Sequence, residues 1–367
     1  MIGRRSVRNS RPRRRPRPAR GSGERSARGS GRRRFVIGAV VAAGVLGVAR
    51  VVAERGSSGE EVVRLRFAVK AGDDIEGLAF SHDGNWVATA GRQQLMRVLD
   101  TRTGAERVAV WFNREARLVA FSPDGSLVAV VGDVQAVLVD PATGKVVRGL
   151  AGFVERSTED VAFSPDGSMF AVVGGSSSGA LGQAVLARIW SVDTGKLLRR
   201  QSGPRDSYER VVGVDYSADG TLLATASSAG LVNLWDAETG DWRRALTVGS
   251  RLSCMALRPD GRLIALGTFE KGIVLLDLAT GLEVGRFHQG LRNPTAVAFS
   301  PGDRTVAASF PAGTTQIWDV KTGDAVAGLD SDTYSPMTFA FSPDGKLLAT
   351  GDRTGTLRIW ELAGGGG

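Results

Sequence analysis

Cysteine, histidine and lysine are scarce in this 367-residue chain, with one, two and six copies. The lone Cys254 has no partner for an internal disulfide, and zinc sites built from cysteine clusters are excluded. Cysteine usage therefore does not assign a compartment. His82 and His288 stand about 200 residues apart, so neither a His-x-His nor a His-x-x-x-His ligand pair exists. No Walker-type phosphate loop is present either. These gaps argue against hydrolytic, metal-dependent and nucleotide-driven chemistry; no cofactor and no enzymatic activity are expected. Apolar runs long enough to cross a bilayer are limited to one, at the N-terminal side.

What the chain has instead is repetition. A turn of Ser-Pro-Asp-Gly type follows an apolar strand seven times, starting at Phe80, Phe121, Phe163, Tyr216, Leu257, Phe299 and Phe341, mostly 41 or 42 residues apart. One step, from Phe163 to Tyr216, is 53. Asp-Gly suits a tight reversal because glycine takes positive φ, and proline presets the position before it. Short apolar runs such as Leu222 to Ala226 follow each turn and read as buried strands. A third strand, as in Leu231 to Asp236, ends in an Asp-x-x-Thr-Gly turn, with equivalents at Asp100, Asp140, Asp277 and Asp319. A fourth strand, such as Arg243 to Val248, leads onward. A unit of four short strands cannot bury its own apolar faces, so seven of them imply an all-β, seven-bladed propeller.

Trp235-Asp236 and Trp318-Asp319, with partial versions at Trp190-Ser191 and Trp360-Glu361, give residues 61 to 362 a resemblance to the WD40 family. The resemblance implies a ring that binds protein partners through its loops. Departures exist. His288 is at best an off-register echo of the family histidine, and the position where the family places an aspartate holds Gln94, Gln135, Ala229, Lys271, Ala312 and Thr354. A polar staple is thus expected to be missing in most blades, leaving stability to strand packing. The last repeat stops after its third strand, so Glu61 to Ala68 is expected to pair with it and close the ring.

The net charge of +9 is unevenly placed: residues 1–34 hold 14 arginines and one glutamate, which leaves about −4 for the remainder. That segment, rich in Arg, Pro, Gly and Ser, reads as a disordered tail. Residues 35–53 are apolar apart from Arg50 and would span about 28 Å as a helix. They read as a transmembrane or signal-anchor helix, with 54–60 a linker and 61–363 the propeller. Arginines on one flank place the N-terminus in the cytoplasm and the propeller beyond the membrane. Arg32-Arg33-Arg34-Phe35-Val36 also resembles a twin-arginine export motif. Secretion after cleavage, and a soluble cytoplasmic protein, are the other two readings. The tail's arginines suit anionic lipid headgroups, and the mildly acidic propeller makes a nucleic-acid partner unlikely.

Function is then expected at loops. The third repeat is longer than the rest, with its excess at residues 174–183 and 203–210. Loops on rigid scaffolds carry recognition, and Arg and Tyr are favoured there. The candidate partner-binding residues are Arg156, Arg205, Tyr208, Glu209, Arg210, Arg292, Asp332 and Tyr334, with Arg251 beside them. The expected function is a membrane-tethered, non-catalytic protein-interaction scaffold. Alternatives are an exported propeller that binds or hydrolyses a small molecule or glycan, and a cytoplasmic scaffold whose tail binds nucleic acid.

Overall fold

A computed structural model describes residues 51–52, 63–132, 134–153, 158–174, 185–202, 210–287, 293–311, 313–330 and 336–362. These residues form seven antiparallel sheets. The pattern is clearest in blade 4, where Val211–Tyr216, Leu222–Ser227, Leu231–Asp236 and Trp242–Thr247 pair in chain order. The first strands of the other blades are Gly77–Phe80, Leu118–Phe121, Thr158–Phe163, Leu252–Leu257, Ala296–Phe299 and Pro336–Phe341. Each first strand contacts the first strand of the next blade, including blade 7 against blade 1. The ring is therefore closed around an axial channel, and the expected seven-bladed propeller is present.

The turns are built as their residues dictate. In blade 2, Ser122 Oγ donates to Asp124 and accepts from Leu127 N at 2.9 Å, while Gly125 takes φ 71°. In blade 4, Asp236 accepts from Glu238 N and Thr239 N, which ends the third strand and starts the fourth. Blade 6 reverses the usual order as Gly302-Asp303, so Asp303 is forced to φ 58°.

Packing lies between blades. Seven apolar clusters are present, one per junction, each joining strands of adjacent sheets. Trp190, Trp235, Trp318 and Trp360 are fully buried in four of them. Outside the apolar clusters, Arg148, Arg199 and Arg244 on three consecutive outer strands each donate to a backbone carbonyl of the next blade, at Val192, Ala237 and Ala279.

The closure follows the expected scheme with shifted bounds: Val63–Lys70 pairs antiparallel with Thr356–Leu362 and becomes the outermost strand of blade 7. Of the polar staple only a part is kept among the described residues. The tryptophan half survives in blades 4 and 7, where Trp235 donates to Thr225 Oγ1 at 3.1 Å and Trp360 to Thr350 Oγ1 at 3.0 Å. Blade 7 holds an aspartate of its own, Asp352, two residues before Thr354. It accepts from Thr354 N and Thr356 N and pairs with Arg358. Residues 1–34 and 54–60 lie outside the described residues, as does 35–53 except for Val51–Val52. Those two form a short strand against Leu329 and Gly328 and make blade 6 five-stranded.

Candidate interaction face

Antiparallel order within each sheet sorts the connections onto two faces. The Ser-Pro-Asp-Gly and Asp-x-x-Thr-Gly turns share one face. The second-to-third strand loops and the blade-to-blade connections share the other, called here the connection face. Residues on the connection face from neighbouring blades meet through charge.

At the junction of blades 1 and 2, Glu76 receives Arg92 Nε and Arg117 Nε, each at 2.7 Å. Glu76 keeps only 9% of its side chain exposed, whereas Arg92 retains 65%. Two guanidiniums on one nearly buried carboxylate tie the two blades by charge-assisted hydrogen bonds. At the junction of blades 3 and 4, Glu159 pairs with Arg210 at 2.9 Å. In blade 5 the Arg251 guanidinium lies 5.2 Å from the Phe269 ring centroid, and Ser250 donates to Glu270. Phe269 is partly exposed, so this cation–π pair presents an apolar face and a charge together.

Of the predicted partner-binding residues, Arg210 is described and sits on this face in an ion pair. Arg156, Arg205, Tyr208, Glu209, Arg292, Asp332 and Tyr334 lie outside the described residues, as do the two insertions apart from Gly174 and Arg210. Sequence reasoning missed Glu76, Arg92, Arg117 and Phe269. A signal existed for three charged positions: Glu76, Arg117 and Glu159 each stand four residues before the phenylalanine that opens a turn. That places them in one register at the channel mouth.

Inside the channel, two first-strand carboxylates stitch blades together. Asp160 accepts from Val161 N at 2.8 Å and from Val214 N of blade 4 at 3.0 Å. Asp215 accepts from Tyr216 N and from Leu257 N of blade 5 at 3.1 Å. Burial pushes Asp160 up to about 7 and Asp215 up to about 6, against the opposing pull of those N–H groups. Cys254 lies on the first strand of blade 5 and is buried, its thiol pushed up to about 12 by desolvation. Such a thiol is inert packing. Among the described residues no group of three His, Cys, Asp or Glu is placed to hold a metal ion.

Comparison with known families meets the geometry at this point. The WD domain, G-beta repeat, matches residues 66–100 and 329–361, which fall in blade 1 and in the closing blade pair. The chain carries WD40 repeats on a seven-bladed propeller. A second family description, the anaphase-promoting complex subunit 4 WD40 domain, matches residues 180–257 of this WD40 propeller. Telomerase protein component 1 of Rattus norvegicus is 33% identical over 111 residues, which are 30% of the WD40 chain and 4% of that relative. WD repeat-containing protein SL1-17 of Schistosoma mansoni is 29% identical over 137 residues, 36% of the chain and 43% of the relative. Periodic tryptophan protein 2 homolog of Mus musculus is 33% identical over 99 residues, 26% of the chain and 10% of the relative. The chain thus aligns with less than half the length of these relatives. WD40 propellers in general act as scaffolds that bind protein partners.

Proposed function

We propose that this WD40 propeller is a membrane-tethered, non-catalytic scaffold that recognises a partner protein with its connection face. Of residues 35–53, those up to Arg50 anchor it, Val51 and Val52 being paired into blade 6; the N-terminus lies in the cytoplasm, and the propeller projects beyond the membrane. The tail of residues 1–34 lies against anionic headgroups. The observation that carries the interaction reading is the set of partly exposed charges shared across blade junctions, Glu76 with Arg92 and Arg117, and Glu159 with Arg210. Glu159 lies on a first strand and the other four directly beside strand ends, so they offer a pre-organised, low-entropy surface. The anchor reading rests on residues 35–49, 15 residues free of charge, preceded by an arginine-rich flank.

Protease shaving of intact cells tests the anchor: a full-length, membrane-bound band that disappears supports it. A full-length band that survives until lysis moves the ring to the cytoplasm. For the face, a cross-linked partner seen with the wild type should be lost from an Arg210→Glu, Phe269→Ala variant and retained by a variant altered on the outer rim, such as Trp111→Ala.

A further inference from the structure

On the turn face, opposite the charges just described, proline and glycine interlock from blade to blade. At four junctions the turn proline of one blade approaches the turn glycine of the next. Pro343 Cδ lies 3.6 Å from where a Cβ on Gly84 would stand, Pro123 Cδ 3.6 Å from Gly167, Pro165 Cδ 3.9 Å from Gly220, and Pro301 Cδ 3.7 Å from Gly345. Three junctions break the series: blades 5 and 6, where Asp303 replaces the glycine; blades 4 and 5, where Ala218 replaces the proline and Ser217 Cβ comes 3.2 Å from the point on Gly261; and blades 1 and 2, which alone are left open. His82 occupies the proline position there, and nothing lies within 4 Å of the corresponding point on Gly125.

The gap opens into a cavity of about 420 Å³. Trp86 and Phe121 line it, and Arg107 stacks on the Trp86 ring with its Cζ 4.2 Å from the centroid. Asp124 and Asp140 line it too, and exposed His82 stands at its edge. Hydrogen bonds from Ser122 and Ser126 hold the Asp124 carboxyl below the usual range, and backbone bonds from Ala142 and Thr143 do the same for Asp140. Both are therefore anionic at neutral pH. An aromatic wall beside a missing proline matches the way extended polyproline segments are recognised, by rings packed on aromatic faces at low entropic cost.

We propose that this cavity binds an extended partner peptide that inserts a proline ring where the turn proline is absent and sets a neighbouring basic side chain against Asp124 and Asp140. The ring stacks beside Trp86 and Phe121 and fills the space over Gly125. The site is on the opposite face from the Arg210 surface, so it stands or falls independently of the partner proposed there.

The test uses the full-length chain in detergent and a fluorescein-labelled peptide of alternating arginine and proline, read by fluorescence anisotropy. Binding should weaken at least tenfold when the peptide's prolines become alanine, which separates ring insertion from charge attraction alone. His82→Pro should weaken it at least tenfold by closing the gap from within. That variant should keep a wild-type or higher melting temperature, since proline fits this turn position in the neighbouring blades. Should His82→Pro fail to fold, Trp86→Leu serves, because leucine holds this position in blades 2, 4, 5 and 7 as Leu127, Leu222, Leu263 and Leu347. A folded His82→Pro or Trp86→Leu protein that binds as the wild type does, or equal affinity for the proline and alanine peptides, overturns the proposal.

Discussion

Trp318 shows how a single residue breaks a device its neighbours keep. In blades 4 and 7 the buried indole N–H donates to Thr225 or Thr350. Sheet register places Ala308, opposite Gln316, at the corresponding site in blade 6, and the Trp318 Nε1 has no hydrogen-bond partner. A buried unmade bond costs roughly 1–3 kcal/mol. Ala308→Ser should therefore raise unfolding stability by about 1 kcal/mol, measured as a shift in urea midpoint at unchanged slope. The same blade carries Asp303 at φ 58°, where the six other turns of this type have glycine. Exchanging the pair, Gly302→Asp with Asp303→Gly, relieves the left-handed residue and gives Ser300 a carboxylate to cap. It should add about 1 kcal/mol, read from thermal melts. Both faults could be found in the sequence once the repeats were aligned, since each is a departure at a register position. The Trp190 bond to the Ala151 carbonyl at 3.0 Å could not, because its acceptor belongs to the neighbouring blade's backbone.

At the scale of strands, legibility followed turn chemistry. Leu231–Asp236 was bounded correctly because Gly230 and the Asp236 turn mark both ends. The ties between first strands were not legible. Asp160 and Asp215 sit two register positions apart, the first where other blades have Gly, Leu, Cys, Ala or Thr and the second where every other blade has alanine, and their acceptor role depends on backbone from the next sheet. Their titration carries a prediction. Both folded carboxyls are raised, to about 7 and about 6, above the unfolded value near 3.8. The folded state then binds more protons than the unfolded one through this window. The stability they contribute is full below about pH 4 and is lost as pH rises through 6 and 7. Glu159 and Asp215 both face Asp160 and push in the same direction. Wild-type protein should unfold at a lower urea concentration at pH 7.5 than at pH 5. A double Asp160→Asn, Asp215→Asn variant should show a flatter profile between these two values. An unchanged slope in that variant would remove these two carboxylates as its source.

Across the whole molecule, ring closure is the feature on which every junction depends, and it was visible in the sequence as a deficit: a last repeat one strand short and a spare strand at the other end. What the sequence did not show is how the spare strand is held. Phe67 lies opposite Ile359 in the ladder and is buried in the cluster that joins blade 7 to blade 1, with Ile75, Leu78 and Leu99. The closing strand is thus fixed both by its hydrogen bonds to blade 7 and by a side chain shared with blade 1. Phe67→Ala removes the second tie and leaves the ladder intact, at a cost of about 3–5 kcal/mol. Trp111→Ala, on an outer strand with 69% of the residue exposed, should change stability by less than about 0.5 kcal/mol. Because an open ring exposes the edges of two blades, the Phe67→Ala loss should also appear as faster amide exchange in both Gly77–Phe80 and Thr356–Leu362. Protection lost in blade 7 alone would mean that the strand closes its own sheet without holding the ring.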